Sequence, residues 1–395
     1  MKISIKIKLL FIISLFAVLF FTQMAQAQQA DSTQLVIAKI ITIHSKILKQ
    51  DRKVYIYAPA GSANEALPVL YLMDGEIHSS LVSSEVEYLS NAYSVVPRMI
   101  VVATGNYNYD RMHDLTPTHF TSGTGADTGK NAATNTTGGG EQFLQFLGSE
   151  VMPYVEKTYK TAPYKVFSGH SLGGLMTVHC LVAHPDMFNA YIAISPSVWA
   201  ADGLEVKRAA EVFAKAPPKN KILFVSDASE GPMFHGYVMS LDSVIKKVPG
   251  LSYKYISYPD ETHGTEPVKA EYDGLKFVFS GWQLPPTDTT TVMVKDFYAQ
   301  LSAKIGYTLL PSENTVNDLG YALMSKPKEV DEAIAMLTMN VVNYPASSNA
   351  YDSLGDAYAK KGDTAKTIAN YKKALQLKPG AVETAQKLKA MQDKK

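Results

Sequence analysis

The densest chemistry in the sequence is Gly169-His170-Ser171-Leu172-Gly173-Gly174, a G-x-S-x-G pattern that follows a β-like run ending at Ser168 and opens an apolar stretch beginning Leu175-Met176. A strand that turns directly into a helix at a serine forces that residue into a strained backbone, and glycines two positions to either side remove side chains that would collide. The turn lifts the Ser171 hydroxyl into the open. The helix start behind it offers unpaired amides and the positive end of its dipole, with the Leu172 amide placed to receive a developing oxyanion. A serine hydroxyl is a weak nucleophile at neutral pH and needs a base. Of nine histidines, His263 in Asp260-Glu261-Thr262-His263-Gly264 is the one that follows the last β-like run, where such a base belongs. His170 reads as directed along the helix start or into the sheet, His179 and His184 as structural, and His113 and His119 as loop histidines.

The base needs a carboxylate to fix its tautomer, and Ser226-Asp227-Ala228-Ser229-Glu230-Gly231 offers two. Glu230 lies further past the strand end, where it can reach across to His263; Asp227 is the alternative acid, or a cap for the next turn. A second oxyanion amide is expected from Met73-Asp74-Gly75-Glu76, at Gly75 or Glu76, where glycine allows a backbone amide to come close to a bound molecule.

These residues must be carried by a scaffold, and between Gln34 and about Trp282 β-branched runs alternate with longer amphipathic stretches, the pattern of a mostly parallel sheet covered by helices. Candidate strands are 36–43, 52–57, 69–73, 100–103, 165–168, 191–194, 222–225 and 253–258. Eight strands with an antiparallel start is the expectation for an α/β-hydrolase fold, an α/β architecture over residues 28–283. Residues 105–140 are rich in Gly, Thr and Asn without an apolar period and are expected to form a loop above the carboxyl edge of the sheet, either a lid or plain surface. Leu284-Pro285-Pro286 opens a linker over 284–292. Residues 293–395 then read as a small all-α domain. Tyr351, Leu354, Gly355, Tyr358, Tyr371, Ala374 and Pro379 fall at tetratricopeptide-repeat (TPR) offsets, with Thr367 where alanine is usual, and Leu319, Gly320, Ala333-Ile334 and Pro345 repeat part of the pattern. Such repeats are expected to pack on each other and on the body, either as a structural cap or as a groove for a protein partner.

Lys2, Lys6 and Lys8 precede an apolar run from Leu9 to Phe21, and Ala25-Gln26-Ala27 offers a cleavage site, so residues 1–27 read as a secretory signal peptide and the mature protein as periplasmic or secreted. Cleavage removes three lysines and no acids, taking the formal charge from +1 to −2. That balance points to neither nucleic acid nor an anionic membrane surface. The lone Cys180 forms no intramolecular disulfide and reads as a small buried hydrophobe. No H-E-x-x-H, paired Cys or phosphate loop suggests a metal or cofactor.

Leu67-Pro68-Val69-Leu70-Tyr71-Leu72-Met73-Asp74-Gly75, Ile100-Val101-Val102, Arg111 with Asp114-Leu115-Thr116-Pro117, the GHSLGG turn and Ile194-Ser195-Pro196-Ser197-Val198-Trp199 together resemble the putative esterase family of enterobactin, feruloyl and acetylxylan esterases, esterase D and mycolyltransferases. The resemblance covers about 52–282. It implies a serine esterase acting through an acyl-enzyme without metal or organic cofactor, and makes Arg111 and Trp199 candidate substrate-binding residues. With the leader, it implies a small-molecule or glycan ester: a siderophore, an acetyl or hydroxycinnamoyl polysaccharide, or another envelope ester. Acyl transfer to an alcohol by the same triad, or a silent scaffold bearing an interaction module, are the alternatives.

Overall fold

A computed structural model describes residues 36–63, 65–92, 94–120, 137–284 and 289–393. The expected signal segment, the middle of the 105–140 loop and part of the 284–292 linker therefore lie outside the described residues, while residues from Ala38 onward form one compact unit.

Eight strands make one sheet: β1 (Lys39–Ser45), β2 (Gln50–Tyr57), β3 (Leu67–Leu72), β4 (Ile100–Thr104), β5 (Thr161–His170), β6 (Ala190–Ile194), β7 (Lys221–Ala228) and β8 (Leu251–Tyr258), in the order β1-β2-β4-β3-β5-β6-β7-β8. β1 pairs with β2 and β2 with β4 antiparallel, and every other neighbour is parallel. This is the α/β-hydrolase arrangement. β3, β4 and β6 are buried at every residue, because helices cover both faces of a parallel sheet and such strands need continuous rather than alternating hydrophobicity. The edge strand β1 instead alternates exposed and half-buried positions.

The helices of the body are α1 (Gly75–Glu87), the short α2 (Arg111–Asp114), α3 (Gly140–Phe146), α4 (Met152–Thr158), α5 (Leu172–Ala183), α6 (Ala200–Lys215), α7 (Pro232–Ile245) and α8 (Glu266–Val278). Phe143, Leu175, Phe188 and Leu241 fill the core on one face of the sheet; Val82 and Val86 of α1 and Leu275 and Val278 of α8 fill the other. α5 is buried from Leu172 through Val182. An apolar helix without a polar stripe is what a position beneath other elements demands. Cys180 lies in it fully buried, and burial pushes its thiol pKa up.

The tail comprises α9 (Thr291–Ile305), α10 (Glu313–Met324), α11 (Val330–Asn343), α12 (Ser348–Lys361), α13 (Thr364–Leu377) and α14 (Val382–Gln392). α10/α11 and α12/α13 are helix pairs closed by short turns, and their glycines mark the close contacts: a Cβ on Gly320 would stand 2.6 Å from Leu337, and one on Gly355 2.5 Å from the Tyr371 ring. Thr367 is fully buried and satisfies its hydroxyl on the Asp363 carbonyl at 2.8 Å. Asp356 of α12 gathers Tyr321, Tyr371 and Lys387, at 2.6, 2.7 and 2.7 Å, and so joins four helices. α9 belongs to both parts. Its Val294 enters the tail core with Val316 and Leu337, whereas Ile305, with Tyr307 and Leu309 after it, packs into the core of the body beside Phe279 and Trp282. Among the described residues no helix is long and apolar enough to cross a membrane.

Candidate active site

β5 delivers Ser171 at the carboxyl edge of the sheet with φ 63° and ψ −117°, a backbone conformation that costs a non-glycine residue about 1–3 kcal/mol and persists only where its surroundings hold it. The surroundings here are backbone bonds: Ser171 N–H donates to Ile194 at 2.9 Å, and the Ser171 carbonyl accepts from Ser197 N–H at 3.0 Å and Leu175 N–H at 3.0 Å. Gly169 and Gly174 are sterically required, since a Cβ would lie 2.5 Å from the Gly173 backbone at the first and 2.8 Å from the Ile194 carbonyl at the second. Gly173, expected to be one of the crowded pair, would place its Cβ at an ordinary 3.5 Å from Met73. The second glycine after the serine, not the first, is the one that clears the turn.

His263 stands in the loop after β8 and Glu230 in the loop after β7, and His263 Nδ1 is 2.9 Å from Glu230 Oε1. That bond fixes the ring and leaves Nε2, which has no hydrogen-bond partner among the described residues, as the nitrogen able to take a proton. The ring is 44% exposed while Glu230 is 13% exposed. Asp227 does neither of the things expected of it. Its carboxylate is buried, 2.8 Å from the Tyr255 hydroxyl and 2.5 Å from His235 Nδ1. The hydroxyl of Ser171 is hydrogen-bonded to Ser197 Oγ at 3.3 Å and not to His263; such contacts commonly close only when substrate binds.

His170 departs from its expected role. Its ring packs against His263 with centroids 4.4 Å apart, and on its other side meets His78 edge-on at 5.6 Å. Burial pushes the His170 imidazole down to about 2, and the neighbouring His263, His78 and Arg111 act in the same direction. His170 is therefore a neutral wall for His263 and adds no positive charge that would oppose its protonation. Strand alternation accounts for the direction: Ser168 and His170 point to one face of β5, toward α8, where Ser168 Oγ donates to Glu271 at 2.6 Å.

On the opposite side α1 begins at Gly75 after Asp74, which has φ 55°. The Asp74 amide donates to Asn106 Oδ1 at 3.2 Å. The amides of Gly75 and Glu76, in the first helical turn, have no intrahelical acceptor and remain the candidate oxyanion donors from this side, as Leu172 is from α5. The reason for glycine differs from the expected one: a Cβ on Gly75 would meet Tyr55 at 2.8 Å and Ala103 at 3.0 Å, so the missing side chain faces the sheet. The Glu76 carboxylate accepts from the amides of Asn106 and Asn108 at 3.1 and 3.3 Å and pins the loop that follows β4.

An elbow serine beside a carboxylate-held histidine on this sheet is the arrangement of a hydrolase, and residues 45–230 match the family model described as putative esterase. The chain is 31% identical over 160 residues to the siderophore enterobactin esterase of Emericella nidulans, a match covering 36% of this chain and 50% of that one, so it spans about half the length of that curated relative. An IroE-like serine hydrolase from Shewanella oneidensis shares the fold with a TM-score of 0.68 at 26% identity, over 77% of this chain and 98% of the other. An uncharacterised protein from Capnocytophaga ochracea, 16% identical, matches with a TM-score of 0.61 over 90% of this chain and 99% of its own, which carries the shared fold into the helical tail.

Within the matched residues Arg111 grips Asp74 through two bonds of 2.8 Å and lies 5.0 Å from the Tyr107 ring. Asp74 Oδ2 in turn is 3.8 Å from where a Gly173 Cβ would stand, so the pair abuts the elbow. Trp199 ends the 195–199 segment that wraps Ser171, half-buried and edge-on to Phe234 at 5.7 Å. His179 is tied at both nitrogens, to Glu205 at 3.1 Å and Glu141 at 2.8 Å, and His184 meets Glu141 at 2.8 Å. His113 lies against Gly139 and His119 against Thr137, each bracing the 137–139 segment. Among the described residues no three His, Cys, Asp or Glu side chains are grouped to hold a metal.

Proposed function

We propose that this chain is a serine carboxylic-ester hydrolase in which His263 Nε2 takes the Ser171 proton, the hydroxyl attacks an ester carbonyl, and the amides of Leu172 and of Gly75 or Glu76 hold the oxyanion. The alcohol leaves with the proton from His263, and water, deprotonated by the same nitrogen, frees the acid from the acyl-enzyme. The observation that carries this reading is the His263–Glu230 bond beside a strained elbow serine: it fixes the tautomer and leaves one ring nitrogen unpartnered. A silent scaffold would have no reason to keep that strain.

The ester we assign is a siderophore ester, the class named for the Emericella nidulans relative, with Arg111 and Trp199 as binding residues beside the elbow. Residues 1–27 are taken as an export signal, which places the reaction outside the cytoplasm. The test is turnover of short p-nitrophenyl esters and of enterobactin by the mature protein and its Ser171→Ala variant. A loss of roughly three or more orders of magnitude in kcat supports the mechanism; wild-type turnover by the variant overturns it. Cleavage of the aryl esters with none of enterobactin overturns the substrate alone.

A further inference from the structure

Behind Glu230 lies a second carboxyl group that the mechanism above does not use. Ser195, at the end of β6 and 2% exposed, has a left-handed φ of 39°. Its hydroxyl touches Glu230 Oε1 on one side and Glu266 Oε2 on the other, both within hydrogen-bond contact. Glu230 Oε1 is also the atom that receives His263 Nδ1–H. A hydroxyl has one proton to give. Two ionised carboxylates cannot both accept it, so one of the pair must be a carboxylic acid that donates to Ser195 Oγ.

Three observations place that proton on Glu266. Glu266 is fully buried, while Glu230 reaches the surface and faces an imidazole N–H. Glu266 Oε1 is buried with no hydrogen-bond partner, the Ser226 hydroxyl standing near but outside bonding geometry, and an unsolvated carboxylate oxygen is costlier than an unsolvated carbonyl. The neighbouring charges felt at Glu266, those of Glu230 and Asp227, are negative. Burial first, and more weakly these charges, outweigh the Ser195 and Ser226 hydroxyls, which favour the ionised form, and push its carboxyl up to about 7. Glu266 opens α8, whose dipole favours a negative side chain, but that field is small against the burial of a charge.

We infer that Glu266 is a protonated positioning residue that donates to Ser195, which donates to Glu230, so that the acid facing His263 is held from behind by a buried two-bond chain. Glu266 touches no reacting atom. It acts by restricting the Glu230 carboxylate to the rotamer that meets His263 Nδ1 and by keeping that carboxylate, and not its neighbour, the ionised one. The strained Ser195 backbone is explained by the same arrangement, since it is what sets one hydroxyl between two acids.

The inference rests on the Ser171, His263 and Glu230 reading, and its test separates the two. Infrared difference spectra of wild type and Glu266→Gln, both in the Ser171→Ala background at pH 6, should show a protonated carboxyl band present in the first and missing in the second. Absence of that difference overturns the inference whatever the enzyme does. In the active protein, Glu266→Leu should lower kcat about tenfold with little change in KM, and Glu266→Gln, whose amide can still donate to Ser195, should recover most of the loss. Equal damage by Gln and Leu, or none by Leu, overturns it. Glu230→Gln is the control: if it leaves kcat unchanged, the triad reading fails, and the positioning role with it, while the infrared band still decides where the proton sits.

Discussion

His263 and His179 are both held by carboxylates, and they could hardly differ more in what they are free to do. His263, on a loop above the carboxyl edge of the sheet, spends one nitrogen on Glu230 and keeps the other unpartnered, with 44% of the side chain exposed. His179, in the middle of α5, gives both nitrogens to Glu205 and Glu141 and is 5% exposed. Burial works against its charge, yet the two carboxylates outweigh it and hold its pKa above the ordinary value. A carboxylate partner therefore does not make a catalytic base. One partner and one open nitrogen make a group that can exchange protons; two partners make a brace.

The comparison can be broken most sharply by exchanging both histidines in turn. His263→Asn should abolish ester turnover by roughly four to six orders of magnitude with an unchanged melting temperature, whereas His179→Asn should leave kcat within about threefold and cost about 1–3 kcal/mol of stability. Steady-state kinetics and calorimetry on both variants decide it, and a collapse of kcat in His179→Asn would end the distinction. The acids sharpen the contrast at a smaller scale. Glu230→Gln should lower kcat by roughly 10–1000-fold, and Asp227→Asn, which disturbs Tyr255 and His235 instead, should act on stability while kcat stays within about threefold.

The smallest effect is a pH dependence. A histidine whose pKa is raised in the folded state stabilises the fold fully below its unfolded pKa, about 6.5, and loses that contribution as pH rises through the folded value. The melting-temperature difference between wild type and His179→Asn should therefore be largest in mildly acidic solution and shrink on the alkaline side. A difference that grows with pH would show His179 to be buried neutral.

The contrast also separates what the sequence makes legible from what it hides. Chain order is legible: the elbow at Ser171, a histidine after the last strand and an acid after the seventh can be placed because the fold delivers strand ends to one edge. Which acid reaches the histidine is not, because Asp227, the next-to-last residue of β7, and Glu230, two residues past its end, stand only three positions apart. The strand pattern was legible for the same reason that β3, β4 and β6 are continuous apolar runs. His170 is legible only through alternation from Ser168, which sets it on the α8 face and beside His263. Glu266 and Glu271 were hidden more deeply. Glutamates in a helix such as α8 ordinarily face water, but burial here raises both carboxyls to about 7 and sets them against Ser168 of β5 and Ser195 just after β6, far off in the chain. The glycines teach a related point: position picks out Gly75, Gly169 and Gly173 but not Gly174, because the neighbours that require Gly75 and Gly174, Tyr55 and the Ile194 carbonyl, belong to the assembled sheet.

α9 limits where the tail can be joined to the body. A gene that acquired the helix pairs by joining at the diproline would have had to match Ile305, Tyr307 and Leu309 to an apolar flank already present on the body, beside Phe279 and Trp282. A chain that lost everything after the diproline would bare that flank. The workable seam for removing or exchanging the tail falls after Leu309, since α9 and the two residues Tyr307 and Leu309 cover the body as well as serving the tail.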